Sequence, residues 1–199
     1  MGLLVHILSR IRNATDEEEV SFTPKDLLSL NIRKNKIFSH PMIKLQYKTY
    51  DFRREYDIIR PRYSADVMVL SRDSDTRELE HSPFWIARVI GIFHVFVSAP
   101  ECPEGRRIDF LWIRWLGRHP DHVFGDNECA LEKVGFVPED ADTPPFGFID
   151  PANVVRAIHL IPDFSSGHTS DLLGPSPLAR INKNEPGRNE DWQYFYVNK

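Results

Sequence analysis

The chain begins with hydrophobic residues at helical spacing. Five of them fall on one side of a helix with 3.6 residues per turn. These residues are Leu3, Leu4, Ile7, Leu8 and Ile11. A second helix is predicted to start after Thr23, because a threonine side chain can cap a helix and Pro24 suits the first helical position. With that helix ending near Leu30, residues 1–40 are predicted to form an N-terminal helical extension.

From residue 42 the spacing changes to strict alternation. Ile43, Leu45 and Tyr47 alternate with polar residues, which is typical of a half-buried strand. Further strands are predicted over 65–70, 84–97, 108–116, 156–162 and 192–197.

The two strands at 84–97 and 108–116 are predicted to form an antiparallel pair. Gly91 lies in the middle of the first strand, where a bulge or sharp bend is expected. In the second strand, alternation places odd-numbered residues such as Trp115 on one face and even-numbered residues such as Arg114 on the other.

Composition favours a mainly β fold. The chain has 15 prolines, and 12% of its residues are aromatic, a combination that suits short strands joined by rigid loops better than a helical bundle. We therefore predict a bent antiparallel sheet or a small β-barrel, with short N-terminal helices and long irregular loops. The β domain is predicted to span residues 41–199, with its core at about 63–162.

Length and bulk composition exclude several classes of protein. With 199 residues, 41% hydrophobic and 27% charged, the chain suits one globular domain with extensions and is unlike collagen, a coiled coil or a disordered protein. No apolar run reaches the ~20 residues of a membrane span, and no signal peptide is recognisable. We expect a nuclear or cytoplasmic protein that is not secreted. Cys102 and Cys129 are expected to stay reduced, with a disulfide between them as the alternative.

Charge is distributed unevenly along the chain. Between residues 31 and 62 there are nine basic and three acidic residues, although the whole chain has a net charge of −4. The basic residues either cover a solvated face or contact nucleic-acid phosphates. They are Arg33, Lys34, Lys36, Lys44, Lys48, Arg53, Arg54, Arg60 and Arg62. If they bind nucleic acid they should form one contiguous surface, and Arg53 and Arg54 are expected to form internal ion pairs.

Four segments of the chain resemble the BAH (bromo-adjacent homology) domain. The matching segments read DVMVL at 66–70, FWIARVIGIF at 84–93, WIRWLGRHP at 112–120 and IDPANVVRAIHL at 149–160. Their order and spacing agree over about residues 63–162. In the third segment, Leu116 and Gly117 replace the usual pair of aromatic residues.

A second set of segments resembles a domain found in many basidiomycete fungal proteins. These segments include YDFRRE at 50–55, VGFVP at 134–138, GFIDP at 147–151 and IHLIP at 158–162. The similarity covers about residues 45–197. In that group the domain often follows transposase-like regions of mobile elements, and its biochemical role is not established. The two resemblances are compatible, since the fungal domain would be a divergent BAH-like barrel.

The resemblance to BAH domains implies a non-enzymatic interaction module that binds chromatin or another protein, such as a histone tail. Where BAH domains recognise methylated lysine, aromatic residues at the points matching Trp85 and Trp115 help to form the cage. A methylammonium group over an indole face gains ~1–2 kcal/mol by cation–π attraction. The alternative is that both tryptophans belong to the hydrophobic core.

Two other functions stay open. A nucleic-acid-contacting domain would use the basic segment 33–62. A small hydrolase or metal enzyme would use a site such as His119, Asp121 and His122, since imidazole and carboxylate are common metal ligands. The chain contains no recognised catalytic or nucleotide-binding motif, so we predict no enzyme, no cofactor and no metal site, and the sequence predicts no oligomeric state.

Overall fold

The computed structural model describes residues 2–12, 22–48, 51, 53–63, 65–70, 84–119, 131–176, 178–179 and 190–198. These residues form two α-helices, one turn of 3-10 helix and thirteen strands. The helices are α1 (Leu3–Ile11) and α2 (Pro24–Ser29), and the 3-10 turn is Pro151–Asn153. The first strands are β1 (Asn31–His40), β2 (Ile43–Lys48), β3 (Arg54–Ile59), β4 (Asp66–Leu70), β5 (Phe84–Ala99) and β6 (Cys102–Arg118). The others are β7 (Lys133–Phe136), β8 (Phe146–Ile149), β9 (Val154–Ala157), β10 (His159–Pro162), β11 (His168–Thr169), β12 (Asp191–Trp192) and β13 (Phe195–Asn198).

The long hairpin of β5 and β6 organises the sheet. The two strands pair antiparallel from Ile86 opposite Leu116 to Ala99 opposite Cys102, and their register shifts just before Gly91. A Cβ atom at Gly91 would collide with the ring of Phe93, so any other residue at this position would displace that ring. The predicted antiparallel pair with Gly91 at an irregularity is confirmed.

β6 begins earlier than the sequence pattern suggested. Alternation predicts this strand from residue 108, but the strand starts at Cys102. Residues 103–107 are mostly polar and exposed, so hydrophobic alternation does not reveal them as a strand. Arg107 and Arg106 pair with Phe96 and Val97 of β5, and Gly105 accommodates a φ of +86° at the second register shift.

The N-terminal region contains the two predicted helices and an unpredicted strand. Thr23 and Asp26 form a reciprocal capping box at the start of α2. The expectation of helical structure up to residue 40 is wrong for Asn31–His40, which is strand β1. β1 pairs with the half of β5 that follows Gly91, an edge that β4 does not cover. Exposed backbone groups along that edge favour a further strand.

The main sheet curls into a nearly closed barrel. Its strand order is β10-β13-β7-β6-β5-β4-β9. β9 and β10 are at opposite ends of this order, yet only Ile158 separates them in sequence, and the Ile158 amide donates to the Asp66 carbonyl at 2.9 Å. One continuous segment therefore joins both edges of the sheet. The predicted mainly β fold with a bent antiparallel, barrel-like sheet is confirmed.

Every strand in this order contributes hydrophobic side chains to the barrel interior, β9 through the partly buried Val155. The buried residues are Met68, Ile86, Leu116, Val134, Phe136, Ile158, Leu160, Phe195 and Val197. On the opposite face of β4, β5 and β6, a second core is covered by the β2–β3 hairpin through Ile43, Leu45 and Ile59. In a third core, α1 packs against the half of the β5–β6 hairpin that lies beyond Gly91. Among the described residues, neither helix is long and apolar enough to cross a membrane.

Candidate functional site

Trp85 and Trp115 lie on neighbouring strands and contact each other. Trp115 is opposite Ala87 in the β5–β6 register, so both tryptophans lie on the outer face of the barrel sheet. Their ring centroids are 5.2 Å apart and their planes are at 78°, the edge-to-face geometry that aromatic pairs prefer. Trp85 is 42% exposed, whereas Trp115 is partly buried against the core under the β2–β3 hairpin. The structure therefore brings the two predicted residues together. The ring of Trp115 is partly buried, and the ring of Trp85 is exposed to solvent.

The backbone around Trp115 is held by the segment that joins β7 to β8. The Trp115 amide donates to the Pro145 carbonyl at 2.9 Å, and the Val137 amide donates to the Trp115 carbonyl at 3.1 Å. A Cβ atom at Gly147 would lie 2.9 Å from Nε1 of Trp115. The indole thus occupies space that a larger residue at position 147 would fill.

The loop between these two hydrogen bonds is acidic. Residues 138–144 begin and end beside Trp115 and contain Glu139, Asp140 and Asp142 but no basic residue. All three acidic side chains belong to exposed residues. A carboxylate of Glu139 also accepts from the Gly174 amide at 3.3 Å, which ties this loop to the segment after β11. The loop thus brings three acidic residues and no basic residue to a segment that is bonded at both ends to the backbone of Trp115.

The nine basic candidates are all exposed and are distributed over several elements. Arg33, Lys34 and Lys36 lie on β1. Lys44, Lys48 and Arg54 lie on the β2–β3 hairpin, where Lys48 is opposite Arg54. Arg53, Arg60 and Arg62 lie at the two ends of β3. The nine residues thus belong to two parts of the fold, β1 and the β2–β3 hairpin with the residues that flank it.

Ion pairing of these residues differs from the prediction. Arg53 pairs with Asp51 at 2.8 Å, but both side chains are more than half exposed, so the pair is a local surface contact and not an internal one. Arg54 forms no ion pair with any described residue. The expectation of internal pairs is wrong because neither arginine is buried, and exposed guanidinium groups are solvated by water.

Arg33 and Lys34 line a groove at the end of the β5–β6 hairpin. Its volume is about 630 Å³. The groove is lined by Asn31, Arg33, Lys34, Phe96, Val97, Ser98, Pro103, Glu104 and Gly105. Lys34 and the following Asn35 have positive φ angles of 57° and 50°, which interrupt β1 at the groove.

A histidine pair lies on the same sheet, between the groove and the bend at Gly91. Nε2 of His40 and Nδ1 of His94 are 2.6 Å apart. The ring of His94 stacks on Phe38 at 4.8 Å, and Asp109 is directly opposite His94 on β6. Burial and the nearby Arg107 and His40 lower the pKa of His94. No sequence motif indicates this cluster, because its members come from three separate strands that only strand pairing brings together.

Of the metal-ligand candidates, Asp121 and His122 lie outside the described residues. The ring of His119 contacts the ring of Tyr194 at a centroid distance of 4.6 Å. Cys102 has a free thiol, and Cys129 is again outside the described part of the chain.

Comparisons with protein-family models, curated proteins and solved structures found nothing that matches this chain. The fold and the site therefore define a class only, a mainly β protein with a nearly closed antiparallel barrel and a tryptophan pair on its outer face.

Proposed function

We propose that this protein is a non-enzymatic interaction module that binds a methylated lysine in a protein partner, with a histone tail as the leading candidate. The observation that carries the proposal is the edge-to-face contact of Trp85 and Trp115, one of which is open to solvent. The two indoles, with their planes at 78°, form two walls of a corner in which a methylammonium group can contact both rings. We call this feature of Trp85 and Trp115 the tryptophan corner.

Exposure of Trp85 supports a binding role. Burying a large aromatic side chain gains ~1.5–3 kcal/mol, and Trp85 forgoes part of this gain. Trp115 packs on the core and is held through both its backbone groups, so the corner has one rigid wall. A preformed wall lowers the entropic cost of binding.

Charge beside the pair supports a cationic ligand. The acidic loop 138–144 starts and ends at the backbone of Trp115, so its negative charge favours a cationic ligand at the tryptophan corner. A trimethylammonium group keeps its charge and donates no hydrogen bond, so it is attracted by ring faces and by nearby carboxylates rather than by a specific hydrogen-bond acceptor.

The resemblances to BAH domains and to the basidiomycete domain support a chromatin partner. On that basis the protein would act in the nucleus, in a fungal context derived from mobile elements. This setting rests on the sequence motifs, whereas the ligand class rests on the tryptophan corner and its charge.

The test is binding of histone-tail peptides that differ only in lysine methylation. Wild-type protein should bind a di- or trimethylated peptide more tightly than the unmodified one by calorimetry or fluorescence anisotropy. Trp85→Ala should remove this preference, while Trp85→Phe should keep part of it. Phe164→Ala is the matched control, because Phe164 is an exposed ring outside the corner. Equal affinity for methylated and unmodified peptides across the panel would reject the proposal.

Nucleic-acid binding is the second candidate function, and the groove beside Phe96 favours it. Arg33 and Lys34 line this groove together with an exposed aromatic ring, a combination that can contact phosphate and stack on a base. Affinity for a single-stranded oligonucleotide should then fall steeply with salt. Arg33→Gln with Lys34→Gln should weaken it, whereas Lys44→Gln with Lys48→Gln is the control on the other basic group.

A further inference from the structure

His40, His94 and Asp109 come together on the surface of three paired strands. His40 ends β1, His94 lies after the bend of β5, and Asp109 is its direct cross-strand partner on β6. One donor atom from each side chain lies within 4.8 Å of the others. Two imidazoles and one carboxylate are a ligand set that zinc uses in proteins, with ligand bonds of about 2.0–2.2 Å.

The strands give this cluster a stable geometry. β5 and β6 pair without irregularity from Ile92 opposite Leu111 to Val97 opposite Arg106, so His94 and Asp109 have a fixed separation. His94 is only 8% exposed, and its ring contacts the rings of Phe38 and His40 at centroid distances of 4.8 Å each. Ligands on regular strands are positioned more exactly than ligands on loops.

Asp109 is oriented by a neighbouring cation. Nε and Nη2 of Arg107 both donate to Oδ1 of Asp109, at 3.1 and 2.6 Å. The second carboxylate oxygen takes part in neither bond. Hydrogen bonds of this kind to a ligating carboxylate are typical of metal sites, where they fix the ligand and tune its basicity.

The facing nitrogens of the two rings also suit a metal ion. The 2.6 Å contact between Nε2 of His40 and Nδ1 of His94 is a hydrogen bond in which one ring donates its hydrogen and either ring can be the donor. When an ion binds, this hydrogen moves to the other nitrogen of the same ring, and both facing nitrogens then offer lone pairs. A metal ion would replace the hydrogen as the bridge after a small opening of the two rings.

We propose that His40, His94 and Asp109 form a binding site for a divalent transition-metal ion of the zinc type, with water as the fourth ligand. The ion links β1 to the β5–β6 hairpin. It therefore holds the edge strand that carries Arg33 and Lys34 against the sheet. The site uses no residue of the tryptophan corner and does not depend on the methyl-lysine proposal.

The test is metal titration of the full chain, purified without a histidine tag and treated with EDTA. Wild-type protein should bind one equivalent of Zn²⁺ by calorimetry, and Co²⁺ should give the visible absorption of a four-coordinate site. His40→Ala and Asp109→Asn should each weaken Zn²⁺ binding by about 100-fold or more, since even outer-shell changes cost 10–100-fold. His159→Ala is the matched control, because His159 is an exposed histidine on β10.

Two further measurements keep the result interpretable. Circular dichroism should show that His40→Ala keeps its strand content, and Zn²⁺ should raise the melting temperature of wild type but not of this variant. Absence of stoichiometric binding to wild type would overturn the proposal. Unchanged binding in His40→Ala and Asp109→Asn would overturn it equally, since the ion would then lie elsewhere.

Discussion

The guanidinium group of Arg114 donates two hydrogen bonds of 2.9 Å to the carboxylate of Asp191 inside the barrel. Arg114 is 1% exposed and also lies 3.9 Å from the ring centre of Phe136. This buried pair links β6 to the short strand β12, which follows a long segment outside the described residues. The pair therefore fixes a distant part of the chain against the barrel wall.

We predict that Asp191→Ala destabilises the protein strongly. Removing one partner of a buried pair leaves an uncompensated charge and typically costs about 3–5 kcal/mol. Urea unfolding followed by tryptophan fluorescence would measure this loss. Asp51→Ala is the control, because it breaks the exposed pair with Arg53 and should cost less than about 1 kcal/mol. Similar losses in both variants would show that burial does not govern this pair.

The position of Gly147 yields a prediction about the tryptophan corner. A methyl group at residue 147 would lie 2.9 Å from Nε1 of Trp115, so Gly147→Ala should displace the indole. We expect a stability loss of about 1–3 kcal/mol from overpacking and a weaker preference for methylated peptides. In contrast, Gly117→Ala on β6 places its methyl 3.8 Å from Val137 and should be tolerated. Unchanged tryptophan fluorescence and unchanged peptide binding in Gly147→Ala would contradict the proposed geometry.

The alternation of side chains along β6 correctly predicted the face on which each side chain lies, but it did not predict which residues these side chains contact. Trp115 and Arg114 point to opposite faces as expected from the period of a strand. The carboxylate that Arg114 binds is 77 residues away, and no local pattern indicates it. The same limit applies to His40 and His94, since strand pairing rather than spacing brings their rings together.

Strand β1 could not be predicted for a local reason. Lys34 and Asn35 adopt positive φ angles, and the register with β5 shifts between Ile32 and Ile37. This irregularity breaks the alternation that reveals a strand. The segment is also exposed along most of its length, so it lacks the alternation of buried and exposed residues that reveals a half-buried strand.

The free energy of unfolding should fall in acid, and protonation of Asp163 should account for part of this fall. The pKa of this carboxyl is held well below its usual range by Lys133 at 2.7 Å and by the hydroxyl groups of Ser165 and Ser166. Because the folded pKa lies below the unfolded value of about 3.9, the contribution is present above about pH 4 and is lost as the pH falls through the folded pKa. The stability difference between wild type and Asp163→Asn should therefore shrink below pH 4. A difference that stays constant from pH 7 to pH 2 would argue against this linkage.

The acidic loop at Trp115 should influence the affinity of a cationic peptide through long-range attraction. Asp140 and Asp142 are exposed, so their effect should be modest and sensitive to salt. Asp140→Asn with Asp142→Asn should weaken binding of a trimethyl-lysine peptide by about two- to fivefold at low salt, mainly through a slower association rate. The difference should nearly vanish at ~0.5 M salt, where the screening length is only a few ångströms. Glu104→Gln, at the far end of the β5–β6 hairpin, is the control and should change neither the association rate nor the dissociation rate. If the loop variant instead lost affinity equally at every salt concentration, a direct contact of these carboxylates with the ligand would replace the steering role proposed for them.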